Sequence, residues 1–312
     1  MSEPLTLAQK KLVDASVLIF GETAEPKDAA FIARELVQAS LPHSNPGNVP
    51  LWKRTNGSVT LAIQPGMNIR TGKSYGYPYG SIPRLVLAWM TTEALRTKSR
   101  RLELGNSLSG FMTELGLSSY TGRGKRGDAK RLRDQMEKFF SCRITFHRSE
   151  KHDEREREIS RDMLVAEDKD LWWNPKKPEQ GALWGSWIEL GQKFYDAITA
   201  APVPVDMRAL KALKRSPLAL DLYSWLTYEA FRAHKSGKAR FETWEQLHAH
   251  MGGEYAHMQH FRAKAKAALT KIKVVYPGLK LGGKQGGIEI LPESLPALQP
   301  RNMTIDGTCR SL

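Results

Sequence analysis

The chain has 312 residues, of which 41% are hydrophobic and 26% are charged, a composition typical of a globular protein with two domains of ordinary size. No run approaches the ~18 consecutive apolar residues of a membrane-spanning helix, and the N-terminus lacks the basic start and apolar middle of a secretory signal. The two cysteines, Cys142 and Cys309, are too few and too distant to indicate a disulfide framework or a four-ligand zinc site. We therefore expect a cytoplasmic protein without a membrane partner.

Net charge is the strongest feature of the composition. The chain carries 47 Lys and Arg against 33 Asp and Glu, a net charge of +14. Residues 96–148, the first basic block, hold 13 basic and 5 acidic side chains, and residues 232–284, the second basic block, hold 11 and 3. Each block has a net charge of +8, so the two account for the whole surplus. Two localised basic regions predict a polyanionic partner, and nucleic acid is the usual one.

Apolar spacing, capping residues and glycine or proline breaks predict the elements of the first part of the chain. In order, they are helices over 5–20 and 28–39, a Pro-rich loop at 41–50, a strand over 59–63, a helix over 84–98 with Pro83 in its first turn, a strand over 101–105, a helix over 108–115 capped by Ser107, a basic loop at 118–127, a longer helix from Ala129 to Phe140, strands over 143–148, 159–166 and 184–190, and a helix over 192–199.

Pro202 and Pro204 mark a boundary, after which the second part of the chain begins. Its predicted elements are a helix capped by Asp206 that extends to 214, a helix over 217–233 opened by Pro217, a helix over 244–251 capped by Thr243, a helix over 258–272, and strands over 274–276, 279–281 and 287–291.

The second part repeats the order of the first. In each, a short helix ended by Gly116 or Gly252 precedes a longer helix, and strands follow. The apolar positions of the longer helix share one spacing: Leu132, Met136, Phe139 and Phe140 in the first copy, and Phe261, Ala265, Ala268 and Leu269 in the second. This order is typical of a helix-turn-helix followed by a β-hairpin wing.

We therefore predict an α+β fold with two winged-helix domains related by an internal pseudo-repeat. A helical N-terminal segment with the Pro-rich loop occupies 1–50, the first winged-helix domain 51–201, the second 202–292, and a loose C-terminal tail 293–312.

The longer helix of each copy presents polar side chains opposite its apolar stripe, where a recognition helix faces DNA. Arg, Lys and Gln read base edges and bind phosphates. The predicted base-contacting residues are Lys130, Arg131, Lys138, Gln259, Arg262 and Lys266. The predicted phosphate-contacting residues are Arg123, Lys125, Arg126, Lys235, Lys238 and Arg240. We expect double-stranded DNA as the partner, no cofactor, no metal and no enzymatic activity.

Five segments resemble the RepA-type family of plasmid replication initiators: LPHSNP (41–46), YGSIPRLVLAWMTTEALRTKSRRLELGNSLSGFMTELGL (79–117), GDAKRLRDQMEKFFSCRITF (127–146), LALDLYSWLTYEAF (218–231) and FRAKAKAALTKIKVVYPGLKL (261–281). The resemblance extends in order from residue 35 to residue 292. It implies a bacterial, plasmid-associated protein that binds repeated sequences, iterons, at a plasmid origin.

The same resemblance implies how such a protein works. Members of this family bind as monomers to melt the origin and as dimers to repress their own gene, and they recruit the host initiator and the replicative helicase. The second winged helix then makes the main iteron contact, whereas the first contributes to dimerisation and to DNA binding.

Two motifs suggest enzymes instead. His248-Ala-His250 has the form of a nickase metal site with Tyr276 as the nucleophile, but Leu247 and Met251 predict a helix, on which i and i+2 point about 200° apart. GMNIRTGKS (66–74) ends like a nucleotide-binding loop, but five residues separate the first glycine from Gly-Lys, where that loop requires four.

The tryptophans Trp172, Trp173, Trp184 and Trp187 could stack on bases of single-stranded DNA, although aromatic residues near a sheet usually belong to the core.

Two alternative functions stay open: a winged-helix transcriptional regulator without an initiator role, and a metal-dependent DNA-nicking enzyme.

Overall fold

The computed structural model describes residues 6–22, 24–118, 127–152, 155–171, 185–252 and 254–298. The chain divides into two compact units, a central unit (Ala33–Ala201) and a terminal unit (Met1–Ile32 with Pro202–Leu312). Both mix helices and strands, which confirms the predicted α+β class. The terminal unit combines the two ends of the chain, whereas the sequence groups residues 1–50 into one segment.

The elements follow in chain order. The N-terminal part of the terminal unit contains α1 (Leu7–Gly21), a 3₁₀ turn (Pro26–Asp28) and β1 (Ala29–Ala33). The central unit contains α2 (Arg34–Gln38), β2 (Trp52–Asn56), β3 (Val59–Gln64), β4 (Met67–Asn68), β5 (Lys73–Ser74), α3 (Ser81–Thr97), β6 (Arg101–Glu103), α4 (Leu108–Glu114), α5 (Asp128–Ser141), β7 (Arg143–His152), β8 (Arg155–Leu164), β9 (Ala166–Asp170), β10 (Trp187–Leu190) and α6 (Gln192–Ala200). The terminal unit continues with β11 (Pro202–Asp206), α7 (Met207–Leu213), α8 (Pro217–Ser236), β12 (Arg240–Thr243), α9 (Trp244–Met251), α10 (Met258–Val275) and β13 (Gly287–Ile290).

Helix starts are where the sequence agrees best with the structure. The side chains of Ser107, Asp206 and Thr243 each accept a hydrogen bond from a backbone N–H group in the first turn of α4, α7 and α9. Pro217 is the first residue of α8. These caps satisfy backbone donors that have no partner within the helix, which is why short local patterns were sufficient to predict them.

Three predicted elements are wrong: the helix over 28–39, the strand over 274–276, and the strand over 279–281, where the described structure has only an isolated bridge between Leu281 and Ile290. The predicted helix over 28–39 is a 3₁₀ turn, strand β1 and the short helix α2. Strand β1 pairs with β11, so a partner that is distant in sequence overrides the local helical pattern. The predicted strand over 274–276 is also incorrect, because α10 continues to Val275 and buries that side chain in the core.

The central unit contains a four-stranded sheet in the order β2-β3-β7-β8 and a three-stranded sheet in the order β6-β10-β9. Side chains on one face of the larger sheet are fully buried, among them Leu61, Ile63 and Ile144. The predicted strands over 143–148 and 159–166 extend into the charged segment between them and form one long hairpin, since β7 and β8 pair from Arg143 with Leu164 to His152 with Arg155.

Helix α5 buries the apolar stripe that the sequence predicted. Leu132, Met136, Phe139 and Phe140 are at most 1% exposed, and α5 packs against α3. In the terminal unit, Phe261, Ala265 and Ala268 of α10 are buried in the same way, whereas Leu269 is only half-buried. The polar faces of both helices therefore lie opposite the buried apolar stripe, as the repeat predicts.

The two units share one element order. In each, a long helix (α3 or α8) precedes a short strand, a short capped helix and a longer helix; four strands then follow in the central unit and β13 in the terminal unit, among the described residues. The strand before the short helix pairs antiparallel with a later strand, β6 with β10 and β12 with β13. The turn between α9 and α10 requires glycine, because a Cβ on Gly252 would lie 2.7 Å from the ring of Phe261. None of the helices in the described part of the chain is long and apolar enough to cross a membrane.

Arg208 attaches α1 to the rest of the terminal unit. Helix α1 packs on α7 and α10, although its Val17 and Phe20 side chains are 64% and 62% exposed. The Arg208 guanidinium donates to the carbonyl oxygens of Leu18 and Glu22 at 3.3 and 3.4 Å, and it binds the Asp206 carboxylate at 2.8 Å. The Asp206 side chain is only 3% exposed, so this carboxylate depends on Arg208 for its charge partner.

We predict that Arg208→Ala lowers the free energy of unfolding by about 3 kcal/mol, because it leaves a buried carboxylate unpaired. Amide hydrogen exchange in α1 should accelerate in the same variant. Arg215→Ala removes an exposed arginine that has no ion pair among the described residues, and it should change stability by less than about 0.5 kcal/mol. Equal losses in the two variants by chemical denaturation would contradict the role of Arg208.

Candidate DNA-binding surfaces

Most cations of the second basic block are exposed and have no ion pair among the described residues. Within the described part of this block, nine Lys and Arg side chains are exposed and form no ion pair, and we call this set the unpaired cations. They are Lys235, Lys238, Arg262, Lys264, Lys266, Lys271, Lys273, Lys280 and Lys284. The other two cations of this block, Arg232 and Arg240, both bind the Glu229 carboxylate. This part of the terminal unit therefore offers positive charge directly to a polyanion.

The first basic block differs. Most of its described cations are held in ion pairs, within a helix or across strands. These pairs are Arg96 with Glu93, Arg100 with Glu167 and Glu189, Arg101 with Glu103, Arg131 with Asp128, Arg133 with Glu137, Lys138 with Asp134, and Arg143 with Asp162. The net charge of this block is as high as that of the second, but neighbouring carboxylates neutralise much of its positive charge.

Three of the predicted base-contacting residues share the exposed face of α10. Gln259, Arg262 and Lys266 are exposed, and they lie opposite the buried side chains of Phe261 and Ala265. The Arg262 guanidinium is 5.6 Å from the centre of the Trp244 ring. Because Trp244 is only 6% exposed, this contact holds the Arg262 guanidinium against a fixed surface, while the residue stays exposed to solvent.

The corresponding face of α5 carries less free charge. Lys130 is exposed and has no ion pair among the described residues. Arg131 is exposed but binds Asp128 at 3.2 Å. Lys138 departs from its predicted position on the outer face: its side chain is 14% exposed, and its ammonium group binds Asp134 at 2.8 Å and lies 5.1 Å from the centre of the Tyr79 ring. Lys138 therefore supports the packing of α5 and does not face solvent.

The predicted phosphate-contacting residues fall into three groups. Lys235 and Lys238 are exposed at and just beyond the end of α8. Arg240 binds Glu229, whose side chain is only 10% exposed and which also binds Arg232 at 2.8 Å. Arg240 therefore helps to neutralise a buried carboxylate. Arg123, Lys125 and Arg126 lie outside the described residues.

Two further cations lie on a turn that the sequence predicted but did not assign to binding. Lys280 and Lys284 are exposed where the chain returns from α10 to β13. The Lys284 ammonium group lies 4.2 Å from the centre of the Phe241 ring, and its backbone N–H donates to Glu289 at 3.2 Å. The signal for these residues in the sequence is the glycine-rich run GGKQGG (282–287) before β13, which is typical of a tight turn.

The residues of the enzyme-like motif are placed differently from a nickase site. His248 and His250 lie on helix α9, as predicted. The Tyr276 hydroxyl donates to the carbonyl oxygen of Leu295 at 2.8 Å, the side chain is 2% exposed, and burial raises its pKa well above the usual range. Within the described segments, no three His, Cys, Asp or Glu side chains form a cluster suited to a metal ion.

Two other side chains noted in the sequence, Trp187 and Cys142, are covered by neighbouring groups. Arg101 lies 3.9 Å from the centre of the half-buried Trp187 ring, while Trp172, Trp173 and Trp184 lie outside the described residues. Complete burial raises the pKa of the Cys142 thiol to about 12, so this group stays protonated and unreactive at neutral pH.

We predict that Lys138→Met and Lys130→Met change different properties of the protein: the first its stability, the second its affinity for DNA. Lys138→Met should lower the free energy of unfolding by about 1 kcal/mol through the lost ring and carboxylate contacts, with little change in DNA affinity. Lys130→Met should leave stability unchanged and weaken DNA binding. Chemical denaturation and fluorescence anisotropy on one duplex measure the two quantities, and a larger affinity loss for Lys138→Met would contradict this assignment.

Comparison with known proteins agrees with the resemblance noted in the sequence. A family model described as "Plasmid encoded RepA protein" (RepA_C) matches residues 77–246, a narrower range than the resemblance covers. Two crystal structures of domains 2 and 3 of RctB are similar at 10% identity and a TM-score of 0.46; the alignments cover 82% and 88% of this chain and 94% and 97% of those chains. No curated protein matches the chain. Because the family model spans more than half of the sequence, the chain belongs to the family of plasmid-encoded RepA proteins.

Proposed function

We propose that this protein is a plasmid replication initiator that binds repeated double-stranded DNA sequences at an origin. The observation that carries the proposal is the set of nine unpaired cations on the terminal unit of a plasmid-encoded RepA protein. Exposed lysines and arginines without carboxylate partners displace counterions from the phosphate backbone, and this displacement supplies most of the affinity of DNA-binding proteins.

We also propose that both units are winged helices. Three features support this: the repeated order of helices, the capped short helix before a longer amphipathic one, and the antiparallel pairing of β12 with β13 around α9 and α10. In this fold the longer helix enters the major groove and the strand turn that follows contacts the neighbouring backbone. Helix α10 and the turn with Lys280 and Lys284 occupy these positions in the terminal unit.

On this basis α10 is the principal recognition helix. Gln259 and Arg262 lie near its N-terminal end, where side chains of a recognition helix contact base edges. Arginine pairs with guanine and glutamine with adenine by two hydrogen bonds each. Lys266 and Lys273 continue the same exposed face and would contact phosphates, while α5 of the central unit provides a weaker second contact.

The remaining parts of the proposal come from the family resemblance. They are origin melting by monomers, autorepression by dimers formed through the central unit, and recruitment of the host initiator and the replicative helicase. All of these roles require that the protein first binds a repeated site on DNA. DNA binding is therefore the step to test first.

Footprinting of the purified protein on DNA flanking its own gene, with competitor DNA and across a salt series, tests the proposal. A ladder of protected direct repeats, each about 20 bp if two units each occupy one major-groove face, is the expected result. Protection of one inverted repeat at the promoter would favour the transcriptional regulator. Uniform, salt-sensitive coating would contradict sequence-specific binding, and a metal-dependent nick in the same assay would favour the nicking enzyme.

We predict that Arg262→Ala weakens binding to the protected repeat by about 10- to 100-fold, the usual cost of losing a bidentate contact to a base. Binding to a random duplex should fall only by the smaller amount expected for one lost charge. Lys264→Ala is the matched control, because Lys264 is an exposed cation on the same helix but away from the Arg262 face. Equal losses on specific and random DNA would contradict base contact by Arg262.

A further inference from the structure

The segment that resembles a nucleotide-binding loop is a small protruding hairpin. Strands β4 and β5 pair Met67 with Ser74 and Asn68 with Lys73. A nucleotide-binding loop connects a strand to a helix, whereas this segment connects two strands. At its tip the Ile69 side chain is 97% exposed, more than any other large apolar side chain in the described part of the chain. We call residues 66–75 the basic hairpin.

Internal hydrogen bonds fix the shape of the tip. The Asn68 side-chain oxygen accepts hydrogen bonds from the backbone N–H groups of Arg70 at 3.0 Å and Thr71 at 3.2 Å. The Asn68 carbonyl oxygen accepts another from Gly72 at 2.8 Å. At the base, the Tyr75 N–H donates to the Gly66 carbonyl at 2.9 Å. Ile69 therefore projects from a preformed turn and loses little backbone freedom on binding.

The base of the basic hairpin is fixed to the end of α5. A Cβ on Gly66 would lie 2.1 Å from the carbonyl oxygen of Ser141, the last residue of α5. Only glycine permits this approach of two backbones. The hairpin is thus held by the helix through which, under the proposed function, the central unit contacts the major groove.

The sequence around Ile69 is basic and contains no acidic residue. Arg70 and Lys73 flank it, and both are exposed without an ion pair among the described residues. The sequence contains no Asp or Glu between Glu35 and Glu93. Lys53 on β2, in the same stretch of sequence without acids, is also exposed and has no ion pair within the described structure. An exposed apolar tip flanked by two unpaired cations complements a polyanion with an apolar interior. DNA, with its bases stacked between two phosphate backbones, is such a polyanion.

We propose that the basic hairpin enters the minor groove of bound DNA, with Ile69 as a wedge at a base step and with Arg70 and Lys73 on the flanking phosphates. Isoleucine is one of the residues that proteins insert between base pairs, which unstacks a step and bends the duplex. Arg70 and Lys73 neutralise the phosphates on each side of the wedge. The inference rests on the proposed function, because it concerns a further contact to the same DNA.

The test uses the full chain on a duplex that carries the protected repeat. Permanganate reactivity of thymines reports unstacking, and a circular-permutation gel shift reports bending. Wild-type protein should create a local cluster of reactive thymines and a bend of at least about 20°. Ile69→Ala should abolish the reactive thymines and remove at least about half of the bend, while the footprint stays in place. Leu164→Ala, which truncates an exposed leucine of the central unit, should change neither quantity.

A second variant tests the phosphate contacts. Arg70→Ala/Lys73→Ala should reduce the slope of log affinity against log salt by about 1.8, since each phosphate contact contributes ~0.9. The slope of log affinity against log salt can also be measured on a random duplex. This measurement tests the phosphate contacts of the hairpin even if footprinting finds no protected repeat. Because the tip side chains are exposed, neither variant removes buried contacts.

The two proposals fail in different ways. Absence of a repeat footprint with wild-type protein contradicts the proposed function, and a slope on random DNA that the double variant does not change then overturns the hairpin inference as well. A normal footprint with the same permanganate pattern, bend and slope in every variant overturns the hairpin inference alone.

Discussion

A lysine or arginine contributes to phosphate binding mainly when it has no carboxylate partner. In an ion pair the carboxylate already neutralises much of the positive charge that would otherwise attract a DNA phosphate. This constraint separates two basic blocks that have the same net charge. In the central unit, pairs such as Arg100 with Glu167 and Arg143 with Asp162 neutralise the cations locally. In the terminal unit, α10 and the turn before β13 leave theirs exposed, and the candidate site follows from this difference.

The reason for the difference lies in the two helices. Helix α5 contains Asp128, Asp134 and Glu137, each three or four residues from a basic side chain that it binds. Such spacing favours ion pairs on a helix surface. Helix α10 contains no acidic residue, so its lysines have no such neighbour. Both basic helices carry a buried apolar stripe, and the acids on the polar face decide which of the two presents free charge.

Local patterns in the sequence were sufficient for the capped helices, the apolar stripes of α5 and α10, and the exposure of Gln259, Arg262 and Lys266. They were not sufficient where a distant residue decides the outcome. Strand β1 depends on its pairing with β11, and the low exposure of Lys138 depends on Tyr79. The basic hairpin was visible only as a failed nucleotide-binding motif, because the exposure of Ile69 and the contact of Gly66 with Ser141 arise from packing.

Salt dependence is the measurement that tests the central claim most directly. Affinity for one duplex is measured from low to moderate salt for two triple variants of equal charge change: Lys238, Lys266 and Lys273 to Gln in the terminal unit, and Arg131, Arg133 and Arg143 to Gln in the central unit. The account predicts that the first variant reduces the slope of log affinity against log salt by about 2.7 and that the second reduces it by less than about 1. Equal reductions, or a larger one for the second variant, would contradict the assignment of DNA binding to the unpaired cations.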